Sequence, residues 1–406
     1  MPRRIREIQS SFLGQKIPNF ASTPNEIRRA VERGAIQRGA LLIKVIVSLN
    51  FDELLDTVKR LSENYDKEDF YERYQELGID QKALSLLDNI DPPIPYSYYF
   101  SNPLYLTKNP ELIMYYRNVA MLSKKVMNGI GLNTAAYEER GVTPTDGLAL
   151  ELSKYFNGII SKLILISGIT PNRHLEMALT NIGDSLGGIS RNEVGRAATA
   201  QVINYIAKHL HKLGYLESIT YILKDSLEDE VDQEPDDSIL VKLYTVTPET
   251  DIDSFLRQVE DRRVKYQELI LKNGYKLLLD RQLSWRDSES KVYKIGPDLH
   301  TISSESDMFW AGEIKGGADP AGSDEHWKTA TQALNRIIDA AEATNRPLPR
   351  LSFFATILVE RVATEVQQWI NDGKLSSVYN LTQISENNEE LQKFLGDMTN
   401  FLGYKY

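Results

Sequence analysis

The chain has 406 residues, with 47 Lys and Arg against 57 Asp and Glu, a formal net charge of −10. Its apolar content of 42% is ordinary for a globular protein, and its length favours two domains over one. The absence of cysteine excludes a disulfide framework and thiolate chemistry and fits a reducing, cytoplasmic setting. No apolar run approaches the ~20 residues of a membrane span. The arginines near the start are followed by no apolar block, so no signal peptide is expected.

Net negative charge argues mildly against a nucleic-acid partner, but global charge is a poor guide when basic residues are segregated. Residues 1–44 hold nine Lys and Arg (Arg3, Arg4, Arg6, Lys16, Arg28, Arg29, Arg33, Arg38 and Lys44) against three glutamates. Asn25 to Ile46 has helical spacing, with Arg28, Arg29 and Arg33 on a polar side and Thr23 or Asn25 as cap. That side suits either DNA phosphates or solvent. Short helices are expected over Phe51–Asn64, Lys67–Leu77 and Gln81–Leu87. Asp91 to Pro110, rich in Pro and Tyr, reads as an ordered irregular connection whose aromatics pack rather than stack on bases. Glu111–Met127 and Thr145–Ser167 read as amphipathic helices, and His174 as a structural residue at the start of another.

Gly183 to Arg196 reads as a glycine-rich loop running into a helix. A phosphate cradle needs such a loop, but the Walker lysine and serine and a preceding apolar strand are missing, so nucleotide binding is not expected. Contact of Arg191 and Arg196 with a DNA backbone remains compatible. His209 and His211, two apart on a helix, face different ways and do not form a metal pair. The acidic run Asp225–Asp237 reads as an exposed loop, Ile239–Thr247 as a strand, and Asp251–Lys272 as a helix carrying Arg257, Arg262, Arg263 and Lys265. Tyr275–Leu283 is strand or helix.

The chemistry concentrates in Lys291–Thr329. Met308 to Ile314 is an apolar run that turns charged at Glu313 and Lys315. On a strand these two share one face while Ile314 points to the core. A buried strand ending in two charges is costly for stability and suited to a site. Lys291–Ile295 is expected as a second strand, closed by Gly296-Pro297-Asp298, that brings Asp298 beside Glu313 and Lys315. Two carboxylates and the Ile314 carbonyl offer hard oxygens to Mg2+, and Lys315 can orient an attacking water: metal-assisted phosphodiester hydrolysis. The bare pattern also occurs at Asp80-Gln-Lys82, Glu289-Ser-Lys291 and Asp372-Gly-Lys374, all in polar contexts. Gly316-Gly317 allow close backbone approach to a ligand. Asp319 to Gly322 is turn chemistry, Ser323 an N-cap, and Asp324 to about Ala343 a helix. Leu351–Val359 is a buried strand and Glu360–Asn371 a helix, followed from Ser385 by a helix and tail.

Pro297-Asp298 with Glu313-Ile-Lys315, and the order strand, strand, helix, strand, helix, resemble the PD-(D/E)xK type II restriction endonucleases. The 14-residue string from Glu313 to His326 is most similar to the AvaI/BsoBI kind, in which a histidine follows the lysine by the same interval. The resemblance implies an α+β chain: a helical DNA-embracing and dimerisation region over residues 1–215, then over 216–406 a mixed β-sheet catalytic core flanked by helices. It implies a homodimer around double-stranded DNA, Mg2+-dependent cleavage at a short palindrome, and a cognate methyltransferase in the same cell. Asp298, Glu313, Lys315 and His326 are the candidate catalytic residues, with Asp287 the alternative first acid. Asp298, Glu313 and Ile314 are the candidate metal ligands. Gly316, Gly317, Asp319, Lys328, Arg28, Arg29, Arg191 and Arg196 are candidate DNA contacts. Other readings are a repair or recombination nuclease of the same superfamily, or a non-catalytic DNA-binding protein on that fold.

Overall fold

The computed structural model describes residues 17–48, 50–64, 67–223, 241–261, 264–303 and 307–404. Its helical part runs α1 (Pro24–Ser48), α2 (Phe51–Asn64), α3 (Lys67–Arg73), α4 (Gln81–Asp88), α5 (Pro103–Lys108), α6 (Leu112–Val119), α7 (Lys124–Gly129), α8 (Ala135–Arg140), α9 (Asp146–Ser167) and α10 (Arg173–Lys212). Then come β1 (Leu216–Leu223), β2 (Val241–Thr245), α11 (Ile252–Asp261), β3 (Val264–Leu271), β4 (Lys276–Leu279), β5 (Leu283–Arg286), β6 (Val292–Ile295), β7 (Leu299–Ile302) and β8 (Met308–Lys315). The chain closes with α12 (Ser323–Ala343), β9 (Arg350–Ala355), α13 (Glu360–Asn371), β10 (Ser377–Asn380), α14 (Leu381–Glu386) and α15 (Asn388–Phe401). A helical N-terminal region thus precedes a mixed sheet with flanking helices, the expected α+β class.

Two compact units divide the chain inside α1 and inside α10: Gln37–Ser190, and the described residues up to Ile36 together with those from Arg191 on. These bounds differ from 1–215 and 216–406. The end of α10 packs on the sheet through Val202, Ile203, Ile206 and Leu210. Residues 20–22 are hydrogen-bonded to the chain around Leu358 and Asn380.

In the helical unit, the Pro- and Tyr-rich connection is core. Tyr96, Tyr99, Phe100 and Tyr105 are buried against α2, α4, α6 and α9. Asn157 ties the irregular backbone down: its Oδ1 accepts from the Ser101 amide at 2.8 Å, and its Nδ2 donates to the Leu77 and Ser101 carbonyls. Such pairing is what permits irregular backbone to be buried. The single helix expected over Glu111–Met127 is interrupted. Met121 takes a left-handed conformation, and Ser123 caps a new helix by accepting from the Val126 amide. The glycine-rich loop expected at Gly183–Arg196 is helical throughout, because α10 continues across it and none of its glycines needs positive φ. It therefore offers no phosphate cradle. His209 bonds Thr399 and His211 bonds the Thr247 carbonyl, so each serves packing separately.

The large sheet has the order β10-β9-β8-β7-β4-β3-β1-β2, parallel from β8 to β10 and antiparallel elsewhere. One face carries Trp310 and Ile314 against α10 and α15; the other carries Ala311 against α12 and α13. Gly312 makes this possible: a Cβ there would lie 2.9 Å from the Phe354 ring and 3.0 Å from Trp310. Three expectations change. The helix over Asp251–Lys272 ends at Asp261, and Val264–Leu271 is a strand because β1 and β4 flank it with ladders that periodicity does not reveal. Lys291–Ile295 forms a strand but pairs with β5 in a separate two-stranded sheet. The hairpin partner of the charged strand is β7, which begins directly after Asp298. The helix after the glycines is capped at Gly322, with Ser323 already inside it. Arg3, Arg4, Arg6, Lys16, the acidic run Asp225–Asp237, Arg262 and Arg263 lie outside the described residues. No described helix is long and apolar enough to cross a membrane.

His174 is buried, as expected of a structural residue, with Nδ1 2.8 Å from the Tyr115 hydroxyl. Desolvation lowers its pKa to about 4. The neutral ring is the folded form, whereas the unfolded chain takes up the proton near 6.5. The stability is therefore present above pH 6.5 and is lost as pH falls toward 4. Urea unfolding at pH 7 and pH 4.5 should show a loss of up to about 3 kcal/mol from this residue, and His174→Asn should flatten that part of the profile.

Candidate active site

The site grows from the C-terminal end of β8. Its buried run is apolar up to Gly312 because both faces are covered. Glu313 and Lys315 share the face of Ala311, and the sheet and α12 bury Glu313 to 5% exposure. Such a carboxylate stays only if other groups hold it. Lys315 supplies one, its Nζ donating to Glu313 Oε1 at 2.8 Å while remaining partly exposed. Asp298, at the start of β7, reaches across the hairpin and accepts from the Ile314 amide at 2.6 Å. The structure thus brings Asp298, Glu313 and Lys315 together.

The electrostatics follow from burial. Desolvation and the neighbouring Asp298 carboxylate push Glu313 up to about 7, although Lys315 opposes the shift. Asp298 is also raised, chiefly by desolvation, against the Ile314 amide and Lys315, while the Asp280 carboxylate adds to the rise. A buried and a partly buried carboxylate sharing one lysine leave a deficit of positive charge that a divalent cation would fill. Backbone geometry supplies a third oxygen. The Lys315 carbonyl accepts from the Thr356 amide on the β9 side, so strand alternation turns the Ile314 carbonyl toward the Asp298 side. Among the described residues no three His, Cys, Asp or Glu side chains cluster as a metal site. The donor set is two carboxylates and a carbonyl, hard oxygens that fit Mg2+.

Asp287 lies elsewhere. It closes the β5–β6 turn, accepting from the Glu289 and Lys291 amides and the Tyr293 hydroxyl. Beyond Lys315 the glycines are pressed by the protein itself. A Cβ on Gly316 would lie 2.5 Å from the Val194 carbonyl of α10, and one on Gly317 would overlap His326 Nε2. The half-buried His326 ring therefore lies against the Gly317 backbone, in the first turn of α12. Desolvation and then Lys315 lower its pKa, with Asp319 and Glu325 opposing, so the surroundings favour the neutral ring.

The remaining candidates scatter. Asp319 is exposed and its Oδ1 accepts from the Ala321 amide at 3.0 Å; Lys328 is exposed on α12. Arg28 is exposed, whereas Arg29 and Arg33 are both ion-paired with Glu386, at 2.5 Å and 2.6 Å. Arg196 pairs with Glu193 at 3.1 Å, and the Arg191 side chain lies outside what is described. Sequence reasoning missed Thr356, whose amide and hydroxyl bind the Lys315 and Gly316 carbonyls. The available signal was a polar residue interrupting the apolar run Leu351–Leu358.

Residues 283–393 match the family model described as restriction endonuclease BsobI, a span containing Asp298, Glu313, Lys315 and His326. The type II restriction enzyme AvaI of Nostoc sp. (strain PCC 7120 / SAG 25.82 / UTEX 2576) is 30% identical over 202 residues, 50% of this chain and 58% of that protein. The type II restriction enzyme BsoBI of Geobacillus stearothermophilus is 26% identical over 211 residues, 50% of this chain and 59% of that protein. The matches thus cover less than two thirds of these relatives. The resemblance seen in the Glu313–His326 string is borne out.

The contacts at Gly316 set its tolerance. Gly316→Ala should destabilise the protein by about 1–3 kcal/mol, the usual cost of forcing atoms into a packed site. Chemical denaturation measures it directly, with Gly183→Ala, which meets nothing within 4 Å, as the unaffected or slightly stabilised control.

Proposed function

We propose that the chain is a type II restriction endonuclease that hydrolyses phosphodiester bonds of double-stranded DNA at a short palindromic site, with Mg2+ as cofactor. The observation that carries this reading is the Asp298, Glu313 and Lys315 constellation at the end of a sheet strand, inside the segment that matches the restriction endonuclease family. Asp298, Glu313 and the Ile314 carbonyl would hold the metal. When bound, Mg2+ polarises the scissile phosphodiester and acidifies a bound water. Lys315, held in place by Glu313, orients the attacking water and offsets charge developing on the phosphorus oxygens. His326, whose surroundings favour the neutral ring, accepts the water's proton or hydrogen-bonds the phosphate. Gly316, Gly317, Asp319, Lys328, Arg28, Arg29, Arg191 and Arg196 are the candidate DNA contacts; Arg29 reaches a phosphate only by leaving Glu386. Cutting both strands of a palindrome is most simply done by two copies of one site, so the active form is a homodimer. A methyltransferase protecting the host DNA and a cytoplasmic location belong to the same reading.

Incubating the protein with plasmid DNA of known sequence in Mg2+ should give discrete fragments, and EDTA should abolish cutting. Non-specific degradation would point to a repair or recombination nuclease, and intact DNA to a binding protein without chemistry. Asp298→Ala, Glu313→Ala and Lys315→Ala should each abolish cleavage while mobility shifts in Ca2+ show specific binding retained; Asp287→Ala should cut normally. His326→Ala should lose at least about 100-fold in single-turnover rate, the lower end for a lost general base, with an unchanged thermal midpoint.

A further inference from the structure

The end of the charged strand must be held from outside, because its hairpin partner stops short of it. β7 pairs with β8 only as far as Leu299 opposite Gly312. On the other edge, β9 reaches Ala355 opposite Lys315. Thr356 then extends the hold by one residue. Its amide donates to the Lys315 carbonyl at 3.0 Å, and its hydroxyl donates to the Gly316 carbonyl at 2.8 Å. One residue thus fixes two successive carbonyls where the chain leaves the sheet.

Thr356 is itself braced. Its carbonyl accepts from the Thr382 hydroxyl at 2.7 Å, and Thr382 is fully buried. Asn380 caps the Thr382 amide at 3.1 Å and donates to Ser22 Oγ at 2.8 Å. Ser22 in turn clasps Leu358, its amide donating to the Leu358 carbonyl at 2.8 Å and its hydroxyl accepting from the Leu358 amide at 2.9 Å. The N-terminal strap and the segment after β9 therefore form one hydrogen-bonded bracket around Thr356.

We propose that Thr356 is a positioning residue for the cleavage reaction: its hydroxyl sets the Gly316 carbonyl, and through Gly317 seats the His326 ring beside Lys315. The proposal rests on the nuclease reading for its effect on rate, but not for its effect on His326. The peptide plane between Gly316 and Gly317 carries the carbonyl that Thr356 binds, and Gly317 is the surface against which the imidazole rests. Without the hydroxyl the buried Gly316 carbonyl loses its side-chain donor, and glycine has the freedom to rotate the plane.

The test compares wild type, Thr356→Val and Thr356→Ser. Single-turnover cleavage of plasmid DNA is measured in Mg2+, specific binding by mobility shift in Ca2+, and the thermal midpoint by calorimetry. The 15N-histidine imidazole resonances are recorded as well, with His326 assigned through His326→Ala. Thr356→Val should slow cleavage between about tenfold and a hundredfold, the scale of a misplaced reacting group. Binding should hold, the midpoint should fall by no more than the few degrees that one unsatisfied buried carbonyl costs, the His326 resonances should move, and Thr356→Ser should restore rate, resonances and midpoint. A Thr356→Val protein with wild-type rate and unmoved His326 resonances overturns the proposal. So does a loss of rate accounted for by unfolding at the assay temperature or by lost DNA binding, or one that Thr356→Ser fails to recover. If wild type cuts no DNA, the nuclease reading falls, and the His326 resonances alone then decide whether Thr356 seats the ring.

Discussion

Everything near the site depends on two carboxylates, buried Glu313 and partly buried Asp298, held together beside one lysine. Their burial raises both, and Glu313 to about 7, so the isolated protein holds the pair at an electrostatic cost. The rest of the sheet is arranged to bear that cost. Asp298 stands just before β7, the Ile314 amide donates to it, and Lys315 lies against Glu313. Trp310 and Phe354 are fully buried beside the strand, and Gly312 leaves them the room.

The turn after β8 is the second constraint. Gly316 and Gly317 fit a space already filled by α10 and His326, so the turn is defined by contact with the protein, whatever it later meets in a ligand. Thr356 binds the turn's first carbonyls, and the hydrogen-bonded bracket behind it includes residues from the start of the described chain. That explains why the N-terminal strap belongs to the same unit as the sheet. Its polar groups complete a support that the C-terminal segment leaves unfinished.

Arg29 and Arg33 illustrate the same arrangement. Their helix spacing alone is equally good for phosphates and for solvent. Both converge on Glu386 of α14, placing part of the basic helix in the service of the fold. Arg29 grips both Glu386 oxygens and Arg33 one of them, so the three side chains form a small network rather than a single surface pair.

Much of this was legible in the sequence wherever local chemistry is decisive. Glu313-Ile-Lys315 after an apolar run, with Pro297-Asp298 before it, pointed to the three residues that the fold brings together, because a charge at the end of a buried strand is visible without any partner. The helices α2, α9, α12 and α13 followed from periodicity, and His174 and the tyrosines of Asp91–Pro110 from apolar surroundings. What depends on partners was not legible. Val264–Leu271 is a strand because β1 and β4 lie beside it. Lys291–Ile295 pairs with β5 and leaves the hairpin to β7. The glycines of α10 stay helical because the helix continues on both sides. Asp298 rather than Asp287 stands beside Glu313 for the same reason: hairpin register, a tertiary quantity, decides which acid reaches the Ile314 amide. Thr356 and Ser22 were hidden because hydrogen bonds between residues 40 and 336 positions apart leave no trace in local spacing. Only the folded chain brings the two polar groups within 3 Å of the backbone they hold.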